Sequence, residues 1–280
     1  MPNRLKAAAL EKPRLKMLSV PFLDETLMAG PPSCKLADFA TPRLRRCTFD
    51  QEDVQFENRL DGGLDGYVWK VTLGNERRGP FALKMFWDNE PPKFERYYAA
   101  QRECQNAAIF QMMEAAVSTS NVRVLDMPRD RCEAEQNYYA FSDELRDENP
   151  DADTEDTRLI SSIPRMVRCY GWMKISGSTV PEELRAPPLT VGKIQRLMPS
   201  DENYIAVIYE FVEDGDNEPC AVDEVLDFLW HGGFCSALSP LGKNWKSGVL
   251  IDLSDIIHVF GFAWNKALYG CRSAAQILVS

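Results

Sequence analysis

Gly63 and Gly66, Lys84 and Glu103 fall in one stretch, starting near Leu60, that reads as a glycine-bearing hairpin, a strand with a single lysine and a helix with a carboxylate. A phosphate is held best by backbone amides that come close to it. Glycine permits that approach because no side chain intervenes, which makes Gly63 and Gly66, with Val68 two residues further on, candidates to cradle a nucleotide phosphate. A glycine pair alone serves equally well as an ordinary hairpin turn. Lys84 lies in Phe81-Ala82-Leu83-Lys84-Met85-Phe86, apolar on both sides, which fits a pocket lysine better than an edge-strand surface lysine. Glu103, 19 residues later, stands at a separation suited to an ion pair with it.

The elements that must position these residues follow from periodicity. Val68, Val71 and Leu73 form one strand and residues 81–87 a second, joined by the polar turn Gly74-Asn75-Glu76-Arg77-Arg78-Gly79. Tyr97 to Val117 holds neither proline nor glycine and sets Ala100, Cys104, Ala107, Ala108, Phe110 and Met113 on one helical face. Residues 118–160 carry Asp143, Glu144, Asp147, Glu148, Asp151, Asp153, Glu155 and Asp156, an acidic density that predicts a mobile loop. Order is expected again at 164–175 and 204–212 as strands, at 221–230 as a helix, and from Ile256 to Ser280 as one or two helical pieces. Ahead of all this, Pro31, Pro32 and Pro42 with Arg43, Arg45 and Arg46 predict an extended lead-in. The first twenty residues, with Arg4, Lys6, Lys12, Arg14 and Lys16, read as a solvated basic arm rather than a targeting segment.

Composition narrows the function classes. A formal charge of −10 and a pI near 4.9 argue against nucleic acid or an anionic membrane as partner of the whole surface. The eight cysteines show no paired metal-ligand spacing, so free thiols in a reducing compartment, cytoplasmic or nuclear, are expected. Only His231 and His258 are available, which disfavours a histidine-built metal site. No apolar run reaches the ~18 residues of a membrane span.

With Gly63, Gly66 and Val68 set against G-x-G-x-x-G-x-V, and Phe81-Ala82-Leu83-Lys84 against V-A-I-K, the chain resembles the protein kinases from about Asp61 to Asp255. Arg165-Met166-Val167-Arg168-Cys169-Tyr170-Gly171 and Lys243-Asn244-Trp245-Lys246-Ser247-Gly248-Val249-Leu250-Ile251-Asp252 make it similar to fungal kinase-like proteins of the kinetochore-subunit (Fta) type. The resemblance implies an α+β, two-lobed kinase-like fold: a lead-in over 1–50, a small lobe over 51–212 with the acidic insertion 118–160, and a shortened large lobe over 213–280. It also implies that Lys84 holds nucleotide phosphates while paired with Glu103, that ATP and magnesium are the cofactors, and that Asp252 and Asn244 are the metal ligands. Asp252 reads equally as an aspartate capping a turn.

The departures from the kinase pattern decide the expected function. Asp61 stands where the first glycine belongs, and Leu253-Ser254 follow Asp252 in place of phenylalanine and glycine. Counting back from Asn244 puts Ser239 where the catalytic aspartate should be, and the alternative register His231-Gly232-Gly233 offers a glycine there. Asn244 and Asp252 are only eight residues apart, short for the intervening hairpin, and 28 residues after Asp252 leave little room for a peptide-substrate platform. The expected function is therefore a pseudokinase-type binding or scaffold module that retains nucleotide affinity and has a protein partner. The alternative is an atypical phosphotransferase using Asp255 or Asp227 as base.

Overall fold

The computed structural model describes residues 14–92, 97–146, 156–191, 194–237 and 242–278. The basic residues Arg4, Lys6 and Lys12, the acidic residues Asp147, Glu148, Asp151, Asp153 and Glu155, and Ser239 lie outside the described residues. The chain is α+β and divides into two compact units. In chain order its strands are β1 (Leu23–Leu27), β2 (Leu44–Arg46), β3 (Val54–Gly62), β4 (Gly66–Leu73), β5 (Arg78–Phe86), β6 (Val122–Leu125), β7 (Thr157–Ile160) and β8 (Cys169–Ser176). There follow β9 (Leu189–Val191), β10 (Ile194–Arg196), β11 (Asn203–Glu210), β12 (Phe234–Ser236), β13 (Trp245–Lys246), β14 (Val249–Leu250) and β15 (Ile256–His258). The helices used below are α1 (Leu36–Ala40), α2 (Ala99–Thr119), α3 (Arg131–Tyr139), α4 (Pro219–His231) and α5 (Ala274–Ile277).

The first unit takes in the described parts of Met1–Ala29, Leu44–Cys104 and Arg168–Val212. A seven-stranded sheet dominates it, in the order β1-β2-β8-β11-β5-β4-β3. From β8 to β3 every neighbour is antiparallel, whereas β1–β2 and β2–β8 are parallel. Alternation sends Trp69, Val71 and Leu73 of β4, Leu83 and Met85 of β5, Ala206 and Ile208 of β11, and Met173 and Ile175 of β8 into one core cluster. Each large apolar side chain buried there contributes about 1.5–3 kcal/mol relative to exposure. Trp69 is fully buried and its indole N–H donates to the Leu184 carbonyl at 2.8 Å, so its one polar atom is satisfied.

The lead-in departs from expectation. Residues 23–27 and 44–46 are sheet strands, and between them Leu36–Ala40 forms α1, whose first amide is met by the Glu144 carboxylate at 2.6 Å. Prolines 31, 32 and 42 all lie outside that helix and those strands, so they bound the regular elements instead of excluding them.

The second unit takes in the described parts of Gly30–Arg43, Gln105–Val167 and Glu213–Ser280. The largest correction falls here. Most of the expected mobile loop 118–160 is folded: β6 and β7 pair antiparallel with Val122 opposite Ile160, and α3 follows β6. Charge density misled because the apolar residues that fold the segment are sparse but buried, while Met127, Leu145 and Leu159 stay exposed. Val122, Val124, Ala134, Tyr138, Phe141 and Ile160 are buried. Asp130 caps α3 by accepting from the Glu133 amide at 3.1 Å. Asn137, fully buried, both accepts from the Leu125 amide at 2.7 Å and donates to the Leu125 carbonyl at 3.0 Å, tying α3 to β6. Asn137→Ala should lower the unfolding free energy by about 2–3 kcal/mol, because both Leu125 groups lose their partner away from water. Chemical denaturation would read that loss; a change under about 0.5 kcal/mol would mean the clamp is not structural.

The tail is also less helical than expected. It opens as β15, paired antiparallel with β12, and among its described residues only Ala274–Ile277 forms an α-helical turn. No helix among the described residues is long and apolar enough to cross a membrane. All eight cysteines are free thiols, with Cys34, Cys47, Cys104, Cys169 and Cys235 buried.

Candidate functional site

Register places Lys84 on the face of the sheet opposite the Trp69 core. It sits between Val68 of β4 and Val207 of β11, flanked by Leu83 and Met85 whose side chains point the other way. An ammonium on such a face must meet an anion. Helix α2 supplies it: Glu103 is completely buried and forms an ion pair with Lys84 through its Oε1. The second carboxylate oxygen accepts from the Tyr209 hydroxyl at 3.2 Å. Burial, and then the Glu103 carboxylate, push the Tyr209 hydroxyl well above its ordinary range, so it remains a donor. The Lys84 Nζ also lies 5.7 Å from the centroid of the Phe86 ring.

The thiols around this pair are chemically quiet. Burial pushes Cys169 up to about 12 and Cys104 well above its usual value. Neither presents a thiolate near neutral pH.

The two glycines behave differently. A Cβ on Gly66 would stand 2.3 Å from the Met85 carbonyl oxygen, so glycine there is required by the closeness of β4 to β5. A Cβ on Gly63 would have nothing within 4 Å, which leaves that position open to an approaching group. The hairpin tip is nevertheless held. The Gly63 amide donates across the turn to the Gly66 carbonyl at 3.0 Å, and the Gly63 carbonyl accepts from the Trp87 indole at 2.8 Å. Asp65 accepts from the Tyr97 hydroxyl at 2.5 Å, and the Arg102 guanidinium stacks 3.8 Å from the Tyr97 ring centroid. Gly63, Gly66, Val68, Lys84 and Glu103 are thus all brought into the first unit, with Val68 and Lys84 as direct cross-strand neighbours and Lys84 and Glu103 as partners.

Asn244 and Asp252 belong to the second unit and flank the β13–β14 hairpin. Ser247 and Gly248, both with positive φ, make a two-residue turn, which is why eight residues suffice to bring Asn244 and Asp252 to the same open end. The Ile251 amide donates to the Asn244 carbonyl at 2.8 Å, closing that end. The Asn244 carboxamide donates to Asp255 Oδ2 at 2.9 Å. Asp252 Oδ1 accepts from the Ser254 amide at 3.1 Å and its hydroxyl at 2.7 Å, capping the 3-10 turn Leu253–Asp255. The capping role read from the sequence is therefore present. Among the described residues no group of three or more His, Cys, Asp or Glu side chains is arranged to hold a metal. Asp252 and Asn244 still offer hard oxygen donors, a set that suits magnesium, which keeps several waters and takes one or two protein oxygens alongside phosphate.

The nominal substitute bases are engaged elsewhere. Asp227 pairs with Arg158 at 3.0 Å, and His231 is buried in α4 with its ring nitrogens 2.8 Å from the Asp227 carbonyl and 2.9 Å from that of Asp126. Asp255 accepts from Asn244, as above.

Tyr209, Asp65, Trp87 and Tyr97 escaped the sequence reading. Tyr209 shares the parity of Val207 on β11, a usable signal only once the β11–β5 register is known. Comparison with protein-family models and with curated proteins yields no match for this chain.

Proposed function

We propose that the chain is a two-lobed, protein-kinase-like domain of the pseudokinase kind, a binding or scaffold module for a protein partner in the cytoplasm or nucleus that retains affinity for ATP. The observation that carries this reading is the buried Lys84–Glu103 pair. Counted from the glycine hairpin, Lys84 is on the third of the consecutive antiparallel strands β3, β4 and β5, and its partner is on the next helix. Kinases hold the α and β phosphates with a lysine of the third strand paired to a glutamate of the following helix. Support also comes from the β13–β14 hairpin, which sets an asparagine before it and an aspartate after it, the residue types that hold magnesium in kinases.

In this reading Lys84 supplies a point charge for phosphate, Glu103 and Tyr209 hold the ammonium in place, and Gly63 leaves the hairpin tip open to the ligand. Within the second unit, Asp252 and Asn244 would hold magnesium. A serine at 239 in place of the catalytic aspartate removes the group that orients an acceptor hydroxyl, a role worth on the order of 10² to 10⁴ in rate. Binding without efficient transfer follows.

Thermal unfolding with ATP tests it. ATP at about 100 times its dissociation constant should stabilise the fold by about 2.7 kcal/mol. No shift with or without magnesium would end the nucleotide reading, and phosphate transfer abolished by Asp252→Ala would end the pseudokinase one.

A further inference from the structure

Resting on the reading of Asp252 as a cation ligand, we propose that Asn106 is a positioning residue that holds the turn Asp252–Ile256 in its cation-binding form. Asn106 is on α2 and completely buried. Its Nδ2 donates to the Leu253 carbonyl at 2.8 Å and to the Ile256 carbonyl at 2.9 Å. Those two carbonyls bracket the 3-10 turn whose first residues fix the Asp252 side chain. One side chain therefore grips both ends of the turn that begins with the aspartate.

The same side chain is a burden on the fold. Two carbonyl partners fix which end of the carboxamide is nitrogen, and Oδ1 is then a buried acceptor with no partner among the described residues. An acceptor left so removed from water lowers stability. Of the hydrogen-bonding positions in this region, Asn106 is thus one where optimising the fold alone argues for a different residue, and where the geometry it enforces offers the compensating role.

The consequence for a cation is preorganisation. Magnesium and manganese demand near-fixed positions of their oxygen ligands, so a carboxylate that must first be ordered binds them more weakly than one already held. Without Asn106 the carbonyls of Leu253 and Ile256 lose their donor, the turn gains other conformations, and Asp252 spends less time presenting its carboxylate.

Mn²⁺ binding to the full chain in the presence of ATP, followed by electron paramagnetic resonance, tests this. Asn106→Leu, close in size and without donors, should weaken Mn²⁺ about tenfold or more while the thermal shift produced by metal-free ATP stays at the wild-type value. A purely structural role would lower the melting temperature and leave the Mn²⁺ affinity of the folded fraction intact. Wild-type-like Mn²⁺ affinity in Asn106→Leu, alongside lost affinity in Asp252→Ala, would overturn the role of Asn106 and leave the cation reading standing. Absence of Mn²⁺ binding by the wild-type chain would overturn the cation reading itself. Should Asn106→Leu not fold, the wild-type chain suffices: hydrogen exchange of the Asn106 side-chain amide should slow on adding Mg²⁺ and ATP, and an unchanged rate would overturn the proposal.

Discussion

Lys84→Met should destabilise the chain by about 3–5 kcal/mol in chemical denaturation, because it strands the fully buried Glu103 carboxylate without its cation. Glu103→Gln should do comparable harm from the other side. The double variant, Lys84→Met with Glu103→Gln, should lose far less than the sum of the singles and lie within about 2 kcal/mol of the wild type, since no buried charge then remains. Tyr209 keeps an acceptor in the Glu103→Gln variant through the new amide oxygen, which limits the loss there. Additive effects of the two substitutions would show that the pair is not energetically coupled. The same variants bear on ligand binding, since all that lack the ammonium should lose the ATP-induced thermal shift.

Gly66→Ala should lower stability by about 3 kcal/mol or more, toward or past the upper end of ordinary overpacking. The added methyl would sit 2.3 Å from the Met85 carbonyl oxygen and 3.3 Å from the Phe86 Cα, both backbone atoms of the neighbouring strand. Relief would require parting β4 from β5. Gly63→Ala should leave stability within about 0.5 kcal/mol, as nothing stands within 4 Å of the new methyl. A matched pair of melting curves separates the roles. If Gly63→Ala leaves the fold intact and reduces the ATP shift, the open tip belongs to the ligand; if it leaves both unchanged, Gly63 is a turn residue only.

Local patterns carried much of the first unit. The strands read from Val68, Val71 and Leu73 and from residues 81–87, and the unbroken helical run from Tyr97 to Val117, correspond to β4, β5 and α2, and the lysine–glutamate spacing led to a pair that exists. These features are legible because strand and helix periods are properties of adjacent residues. Strand content at 23–27 and 44–46 was hidden, because the short edge strand β1 is defined by its parallel neighbour β2, and β2 by β1 and β8 on either side, rather than by any alternation of their own.

The acidic insertion shows a different limit. Counting charge over residues 118–160 treated the segment as uniform, while α3 and β6 are fixed by a few inward residues and by the two bonds of Asn137 to Leu125. Spacing in the Asn244–Asp252 region misled in the opposite direction. A two-residue turn with positive φ at Ser247 and Gly248 makes the hairpin short enough, and the glycine was a visible clue that the length rule overrode.

Residue chemistry and spacing alone therefore established an α+β chain with a lysine on an apolar strand, a helix carboxylate to match it and an aspartate closing a later strand. The folded arrangement added what depends on through-space register: Tyr209 on Glu103, the Trp87 and Tyr97 contacts at the glycine hairpin, and Asn106 gripping the Asp252 turn. The physical reason is that these contacts join residues far apart in the chain, and a hydrogen bond's partner is chosen by distances of a few tenths of an ångström that no one-dimensional pattern encodes.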